Sequence, residues 1–427
     1  MPHSRRKFIR QAAVSTAAFS IIPAFVRAGA VGTRPSDKLN LGFIGCGKQS
    51  AGLGNRFVEQ TGAQIVAACD VYTKKLEWFV SEKNAAYAEQ RDQSSYDGLT
   101  AYTDYRALLD HPGLDGVIIA TPDHWHATMC VAALDKGLHV YCEKPLAHTL
   151  QEGRAIVDAC ERNGKILQTG SMQRSWRDFR HAVELIRNGH LGEIQEAIVA
   201  IGPPPKKFDL DTETLPGGLD WENWVGPALN KGFNHVLAPA TREEMWPKWR
   251  DYAEYGGGLI TDWGAHMFDI VQWALDMDES GPVEFLPPPN RGDTIGASFR
   301  YDNGIRVVHE DFGRGFAVRF VGSEGTLDVS RSFLDSSIPG LVDRAIGIGE
   351  ERVYHSAGHE VDFLQAVKNN TQPICPAETG HRSASVCTLL NICYRLQRSL
   401  RWNPKKEKFR GDRAANKLRG DEYRLGV

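Results

Sequence analysis

The sequence predicts an α/β protein, in which an amino-terminal doubly wound parallel sheet is followed by an α+β domain with a mainly antiparallel sheet. Two observations predict this fold class. Short apolar runs alternate with helical stretches over residues 38–170, which is the order that places crossover helices between parallel strands. After residue 170, short strands follow one another across turn residues, which favours antiparallel pairing.

Five strands and two helices are predicted in the amino-terminal domain, residues 38–170. The strands are predicted over 39–45, 63–70, 115–120, 139–142 and 165–169. The helices are predicted over 125–136 and 150–163, and a further helical stretch separates the first two strands. The carboxyl ends of parallel strands share one edge of the sheet, so ligand-binding residues are expected there.

The α+β domain is predicted over 171–355. Its elements are predicted as a helix over 179–188 and strands over 193–201, 295–301, 305–310, 317–322 and 326–329. The remaining residues, 356–427, are predicted to form helices over 360–368 and 381–399 and a charged tail that packs back on the body.

Length and composition restrict the class of protein. The 427 residues are enough for two to three domains. Lys plus Arg (50) nearly balances Asp plus Glu (53), and 42% of the residues are hydrophobic, which disfavours a disordered chain and a basic nucleic-acid-binding protein. The eight cysteines form no C-x-x-C pair and indicate neither a zinc site nor a disulfide framework. We therefore predict no metal site and no nucleic-acid partner.

The first 30 residues have the pattern of an export signal. Basic residues that include the pair Arg5-Arg6 precede an apolar run over 11–26, and the small residues 28–30 (AGA) fit a cleavage site. A twin arginine ahead of the apolar run is typical of the Tat route. The run is too short for a membrane span, and no cysteine near the cleavage site can carry a lipid. We therefore predict a Tat signal peptide over 1–30, contact with the Tat translocase during export, no stable membrane anchor, and a periplasmic or secreted protein.

A glycine-rich turn, GCGKQS over residues 45–50, follows the first strand directly and precedes a helix. This is the context that the dinucleotide-binding fingerprint G-x-G-x-x-G requires. Gly45 permits the tight turn, Gly47 lets the backbone approach a pyrophosphate, and the helix amino terminus supplies N–H groups. Ser50 stands where the fingerprint has its third glycine, so a structural turn remains the alternative. The candidate cofactor contacts in this turn are Gly45, Gly47, Lys48, Gln49 and Ser50.

Asp70 ends the second strand, where it completes the fingerprint. A carboxylate at this place accepts hydrogen bonds from a ribose hydroxyl and repels a 2′-phosphate, which favours NAD over NADP. Lys74 and Lys75 follow closely and leave NADP open.

Glu143-Lys144-Pro145 closes the strand over 139–142, at the carboxyl edge of the parallel sheet. A lysine here can hydrogen-bond a substrate hydroxyl and, if partly desolvated, exchange a proton with it. Spacing alone leaves a surface ion pair before a turn as the alternative. Lys144 is a candidate catalytic residue, and Glu143 and Lys144 are candidate cofactor contacts.

A second candidate cluster lies in the segment GGGLITDWGAH, residues 256–266. Asp262 and His266 are four residues apart and would share one helical face. A histidine can accept a proton near neutral pH, and an adjacent carboxylate can orient it. The alternative is a capping aspartate beside a packed histidine.

The segment TPDHWH, residues 121–126, follows the strand over 115–120 and lies near the expected crevice. Its two histidines and aspartate could hold a metal, but this pattern beside an apolar helix favours packing or cofactor contact. The candidate cofactor contacts are Thr121, Pro122, His124 and His126.

Taken in order, these motifs resemble the glucose-fructose oxidoreductase/inositol dehydrogenase (Gfo/Idh/MocA) family, and specifically its secreted bacterial branch. Glu-Lys-Pro over 143–145 and D-x-x-x-H over 262–266 carry most of the resemblance. The segments VGSEGTL (321–327) and HEVDFLQAV (359–367) and the tail RWNPKKEKFRGDRAANKL are also similar, so the likeness covers nearly the whole mature chain.

The resemblance implies a Rossmann domain with bound NAD(P) and a second domain whose open sheet supports a homo-oligomer. It implies that His266 accepts the proton of a sugar hydroxyl, that Lys144 hydrogen-bonds the same oxygen and that Asp262 assists. Ser50 departs from the family pattern. So does a long Trp-rich insertion, which holds six of the ten tryptophans between Trp221 and Trp273 and forms either core packing or platforms for sugar faces.

Export and cofactor dependence together restrict the activity. Free nicotinamide cofactor is scarce outside the cytoplasm, so we expect the cofactor to be tightly bound. One hypothesis is an oxidoreductase that removes hydride from a sugar or glycoside and passes it to a second carbonyl substrate. The alternative is a redox-neutral glycoside hydrolase or lyase that acts through a transient keto-sugar. A sugar-binding protein without turnover is disfavoured by the joint presence of Lys144, Asp262 and His266.

Overall fold

The computed structural model describes residues 38–241 and 245–420. The predicted Tat signal peptide, residues 1–30, lies outside the described residues. No helix within the described ranges combines the length and the apolar character needed to cross a membrane.

The amino-terminal domain contains a parallel sheet, as the sequence predicts, but the sheet has six strands and not the five predicted, because the short strand Thr100–Tyr102 was missed. Its strands are β1 (Leu39–Ile44), β2 (Ala63–Cys69), β3 (Thr100–Tyr102), β4 (Gly116–Ile119), β5 (His139–Cys142) and β6 (Leu167–Thr169). Their spatial order is β3-β2-β1-β4-β5-β6, so the order reverses between β1 and β4. Such a reversal opens a crevice at the carboxyl ends of the two strands, and a dinucleotide binds there in this fold.

Helices cover both faces of this sheet. They are α1 (Lys48–Val58), α2 (Thr73–Gln90), α3 (Tyr105–Leu109), α4 (Asp123–Asp135) and α5 (Leu150–Asn163). Successive strand residues point to opposite faces, so Ile118 packs with Phe57 and Phe79 in one core while Val117 and Ile119 pack in the other. The two cores hold the carboxyl edge of the sheet in a fixed position.

The second domain contains a nine-stranded, mostly antiparallel sheet, as predicted. Its strands are β7 (Ile194–Ala200), β8 (Glu284–Leu286), β9 (Ser298–Arg300), β10 (Arg306–His309), β11 (Ala317–Gly322), β12 (Thr326–Ser330), β13 (Leu334–Ser336), β14 (Leu400–Asn403) and β15 (Lys408–Phe409). Their order is β13-β12-β11-β7-β10-β9-β8-β14-β15, and only β7 and β10 pair in parallel. The last two strands correct the prediction for 356–427, because the tail also extends the sheet.

Seven α-helices follow residue 170 in the described part of the chain. They are α6 (Arg177–Arg187), α7 (Trp221–Val225), α8 (Gly258–Asp262), α9 (Gly264–Ala274), α10 (His359–Asn369), α11 (Ala377–Leu396) and α12 (Arg413–Lys417). One of them, α10, packs Phe363 and Leu364 into a core of the amino-terminal domain. Apolar residues of α6, α9 and α11 join those of the second domain's strands in one core. Every residue of α9 is buried, which fixes the helix that carries His266.

Candidate active site

A cavity of about 730 Å³ lies at the carboxyl edge of the parallel sheet. Its walls extend from the glycine-rich turn, past the ends of β2, β4 and β5, to α8 and α9. Eleven of the sequence-predicted site residues line it: Gly45, Gly47, Lys48, Gln49, Asp70, Thr121, Pro122, Glu143, Lys144, Asp262 and His266. Ser50, His124 and His126 are predicted site residues that do not line it. The predicted cofactor contacts of the glycine-rich turn and the predicted catalytic residues therefore line the same cavity.

The glycine-rich turn has the shape that a dinucleotide pyrophosphate needs. Gly45 has a φ of +90°, and a Cβ atom there would lie 2.8 Å from the carbonyl oxygen of Ala120. A Cβ atom on Gly47 would meet no atom within 4 Å, so the backbone faces open space. Gly47 is the N-cap of α1, and no side chain of the described residues caps this helix. These residues fit a nicotinamide dinucleotide.

Ser50 supports this turn from behind, which corrects its predicted role as a direct contact. The side chain is fully buried, and its hydroxyl donates a hydrogen bond to the carbonyl oxygen of Gly45. Ser50 therefore stabilises the first glycine of the turn and does not reach the cavity.

Asp70 lies at the end of β2 and is held by backbone hydrogen bonds. Its Oδ2 accepts from the N–H of Cys46 at 2.7 Å, and its Oδ1 accepts from the N–H of Tyr72 at 2.8 Å. Burial raises the pKa of Asp70, and the charge of Lys75 partly offsets that effect. Each oxygen keeps a second lone pair, so the carboxylate can still accept a hydrogen bond from a ribose hydroxyl.

Glu143 precedes Lys144 and contacts the glycine-rich turn. It is buried, and its Oε1 accepts a hydrogen bond from Gln49 Nε2 at 3.0 Å. Burial raises the pKa of Glu143, while the bond from Gln49 and the charge of Lys144 lower it in part. The contact ties the start of α1 to the end of β5.

Lys144, Asp262 and Arg250 form an ion-pair cluster in the cavity wall. Lys144 Nζ donates to Asp262 Oδ1 at 2.6 Å and to the Asp262 carbonyl oxygen at 2.9 Å. Arg250 Nε lies 3.3 Å from the same Oδ1. Burial alone would raise the pKa of Asp262, but the two cations outweigh it and hold that pKa well below its ordinary value. The carboxylate is therefore charged and fixes the direction of the lysine.

His266 lies in the same wall and is almost fully buried. Its Nδ1 has no hydrogen-bond partner among the described residues. Burial, reinforced by the charges of Lys144 and Arg331, lowers the pKa of His266 well below its ordinary value. The imidazole is therefore neutral near pH 7 and can accept a proton.

Asp262 and His266 line the same cavity from the end of α8 and the first turn of α9. Trp263 between the two helices keeps right-handed helical angles, with φ of −89° and ψ of −29°. The carboxylate of Asp262 is bound to Lys144. The negative charge of Asp262 raises the pKa of His266 and so partly offsets the effects that lower this pKa.

The two histidines of TPDHWH are buried and do not line the cavity, which favours packing over the predicted cofactor contact. The ring nitrogens of His124 lie 3.3 Å and 3.1 Å from the carbonyl oxygens of Tyr255 and Trp224. Those of His126 lie 2.8 Å and 3.0 Å from the carbonyl oxygens of Pro145 and Thr121. His126 thus ties the end of β4 to the segment that follows Lys144.

Acidification is expected to lower the free energy of unfolding because of these two histidines. Burial lowers the pKa of His124 to about 3 and that of His126 to about 4, so only the unfolded chain takes up their protons near pH 6.5. When the pH falls from 7.5 to 5.5, each of these histidines should lower the free energy of unfolding by about 1.4 kcal/mol. Urea unfolding at the two pH values measures the loss. His126→Gln should lose about 1.4 kcal/mol less than the wild type over this interval, and an equal loss would contradict this account.

The cavity wall also contains charged residues that the sequence did not single out as site residues, among them Asp123, Arg250 and Arg331. Asp123, in the first turn of α4, is buried, and burial raises its pKa to about 7. Asp123 belongs to the TPDHWH motif and could have been selected there, whereas neither arginine has a local sequence signal.

The Trp-rich insertion contributes to core packing, which is one of its two predicted alternatives, and also to the cavity wall. Trp221 and Trp224 stack with ring centroids 4.5 Å apart inside a buried cluster that includes Tyr72. Trp246 is 52% exposed and lines the cavity, where Lys48 Nζ lies 5.4 Å from its ring centroid. The insertion thus packs beside the end of β2 and places one tryptophan over the glycine-rich turn.

Within the described residues, no group of three or more His, Cys, Asp or Glu side chains is arranged to hold a metal ion.

Two family models match the chain. One, described as an oxidoreductase family with an NAD-binding Rossmann fold, matches residues 39–171. The other, described as the C-terminal alpha/beta domain of an oxidoreductase family, matches residues 205–425. Both are models of the Gfo/Idh/MocA family, and together they cover most of the chain.

Similar proteins include enzymes named for sugar chemistry. A glycosyl hydrolase family 109 protein from Shewanella sp. (strain W3-18-1) is 29% identical over 205 residues, which are 44% of this chain and 44% of that relative. The chain therefore matches less than half the length of this curated relative.

Two solved structures share the fold. Aldose-aldose oxidoreductase from Caulobacter crescentus, complexed with glycerol, has a TM-score of 0.58 and 18% identity, and the match covers 85% of this chain and 99% of that one. The WlbA dehydrogenase from Bordetella pertussis, in complex with NADH and UDP-GlcNAcA, has a TM-score of 0.59 and 17% identity, covering 86% and 99%. The family models over both domains decide the assignment. The chain belongs to the Gfo/Idh/MocA oxidoreductase family and is an enzyme with the NAD-binding fold of that family.

Proposed function

We propose that the protein oxidises a hydroxyl group of a sugar or glycoside with a tightly bound nicotinamide cofactor, NAD in preference to NADP. One observation carries the proposal. A lysine fixed by a carboxylate and a neutral, buried histidine share one cavity with a glycine-rich turn that fits a dinucleotide. This combination supplies a hydrogen-bond donor and a proton acceptor beside the place where a hydride acceptor would bind.

The proposed roles follow from the charges of the three side chains. The bound cofactor supplies the hydride acceptor, the C4 atom of its nicotinamide ring. His266 is placed to accept the hydroxyl proton, because its lowered pKa keeps the imidazole unprotonated near pH 7. Lys144 donates a hydrogen bond to the same oxygen as negative charge develops on it. Asp262 positions Lys144 through the 2.6 Å ion pair.

A redox-neutral glycoside hydrolase or lyase is the second candidate function. The relative named as a glycosyl hydrolase family 109 protein supports it. Elimination of an aglycone needs one further group that can exchange a proton near neutral pH. Asp123 is such a group, because it lines the cavity and burial raises its pKa to about 7.

Export through the Tat route and tight retention of the cofactor are part of this proposal. The basic, twin-arginine pattern of residues 1–30 supports export to the periplasm or the medium. Trp246, packed over Lys48 at the nucleotide turn, supports slow cofactor release. We also propose a homo-oligomer, on the family resemblance of the second domain.

Purification without added cofactor, followed by incubation with sugars and glycosides, tests the proposal. We expect nicotinamide to be extractable from the protein, and absorbance at the reduced-nicotinamide band to rise lastingly as a keto-sugar forms. Release of an aglycone without net reduction would replace the first candidate function by the second. Neither product from any sugar, with no extractable nicotinamide, would exclude both.

Asp70→Asn should weaken NAD binding about tenfold and narrow the preference for NAD over NADP. The amide loses the negative charge that repels a 2′-phosphate, and Lys75 lines the cavity nearby. Dissociation constants of the cofactor-free protein for NAD and NADP measure both effects. Asp115→Asn is the control, because Asp115 Oδ2 also accepts a backbone N–H, from Asn40 at 2.8 Å, outside the cavity. An unchanged ratio of the two constants in Asp70→Asn would remove Asp70 from cofactor selection.

A further inference from the structure

Arg331 directly follows β12 and lines the end of the cavity that contains Lys144, Asp262 and His266. We call this the catalytic end of the cavity. Its guanidinium carbon lies 4.4 Å from the ring centroid of Trp263 and 5.4 Å from that of Trp176. Its Nε donates a hydrogen bond to Gln173 Oε1 at 3.2 Å. Stacking and this bond together fix the plane of the guanidinium group.

Arg331 differs from Lys144 and Arg250 in forming no ion pair with the described residues, although the charges of Asp262 and Glu143 act on it from a distance. Lys144 and Arg250 both contact Asp262. Across residues 38–241 and 245–420, no carboxylate oxygen lies within 4.0 Å of the Arg331 guanidinium nitrogens. Its charge nevertheless reaches His266, whose pKa it helps to lower. Arg331 is solvent-exposed, and a fixed arginine with no ion pair among the described residues leaves its two Nη groups for an external anion.

Aromatic rings beside Arg331 provide a surface for the body of a sugar. The rings of Trp263 and Phe316 pack with centroids 4.3 Å apart, and both residues line the cavity. The ring of Trp263 also lies 5.8 Å from that of His266. A sugar ring placed on this surface would put one substituent near His266 and another near the guanidinium group.

We propose that Arg331 is a specificity-determining residue that binds the carboxylate of an acidic sugar, so that the substrate class is uronic acids or their glycosides. A carboxylate matches the planar fork of the two free Nη groups and can form two parallel hydrogen bonds with them. This inference rests on the proposed function, because it assigns the substrate of the same cavity.

Binding of matched sugar pairs to the NAD-loaded protein tests the inference without requiring turnover. The probes are methyl glucoside and methyl galactoside, the corresponding methyl uronides, and the 6-sulfate esters, measured by calorimetry. We expect at least one uronide to bind about tenfold or more tightly than its neutral counterpart. Arg331→Gln should abolish this difference, and Arg331→Lys should keep part of it. Arg291→Gln, which removes an equal charge from an exposed turn, should leave it unchanged.

Each other outcome overturns the inference. Equal binding of neutral and acidic sugars, a uronide preference that survives Arg331→Gln, or tighter binding of the sulfate esters would each reject the carboxylate assignment. Failure of the proposed function is a separate result: the uronide would then bind through Arg331, yet neither reduced nicotinamide nor a released aglycone would form.

Discussion

Lys144→Met is expected to lower kcat about 10³-fold on whichever sugar the wild-type protein turns over. Methionine keeps most of the length of the side chain but removes the donor that Asp262 holds at 2.6 Å. The negative charge that develops on the substrate oxygen then loses its hydrogen bond. NAD affinity should fall much less than kcat, because only one candidate cofactor contact is lost while the glycine-rich turn and Asp70 remain intact. Single-turnover measurement of hydride transfer separates this effect from product release.

The free energy of unfolding must also be measured for Lys144→Met, to separate a loss of catalysis from a loss of stability. Breaking a buried ion pair typically costs ~3–5 kcal/mol, but Arg250 remains 3.3 Å from Asp262, so we expect a smaller loss. Lys136→Met removes an exposed lysine that is paired with Asp110, and it should cost at most about 1 kcal/mol and leave kcat unchanged. Hydride transfer in Lys144→Met at close to the wild-type rate would remove Lys144 from catalysis.

Elements with local start and stop signals could be predicted from the sequence almost to the residue. Helix α5 was predicted over 150–163, and the structure has it at Leu150–Asn163. Thr149 and Glu152 form a reciprocal capping box at its start, and Gly164 ends it with a φ of 59°. These signals depend only on neighbouring residues.

Elements that depend on distant partners were missed. Strands β14 and β15 lie in a charged stretch. Strand β14 pairs with β8, which is more than 100 residues away in sequence, and β15 pairs with β14. Helix α2 was not delimited, because it buries Lys83 and Asn84 among its apolar residues and so lacks a clean apolar stripe. In both cases tertiary contacts decide the structure, and no local pattern encodes them.

In the candidate site too, some residues could be predicted from sequence motifs, whereas their contacts depend on the folded chain. The motifs identified Lys144, Asp262 and His266, but the spacing of Asp262 and His266 predicted that the aspartate would serve the histidine. The structure pairs Asp262 with Lys144 instead, across a separation of 118 residues. Arg331 belongs to no motif, and its importance depends on stacking against Trp263 and Trp176, which only the folded chain brings together.

His266→Gln is expected to lower kcat by about 10²- to 10⁴-fold, the usual effect of removing a general base. Glutamine preserves the polarity of the buried site but cannot accept the hydroxyl proton. In the wild type, burial and the charges of Lys144 and Arg331 lower the pKa of His266, so kcat/KM should fall only at a pH well below the ordinary histidine value. His181→Gln, on α6 outside the cavity, should leave both kcat and the pH profile unchanged.

The same charges predict how the pH profile moves when a neighbouring cation is removed. Arg331→Gln takes away a positive charge that lowers the pKa of His266, so this pKa should rise and the acidic limb of kcat/KM should shift toward neutral pH. Protonated His266 cannot act as the base, so the variant should lose activity on acidification before the wild type does. A residue that merely packs beside the cavity would not move this limb. Wild-type activity in His266→Gln, or an acidic limb that stays in place in Arg331→Gln, would show that another group accepts the proton.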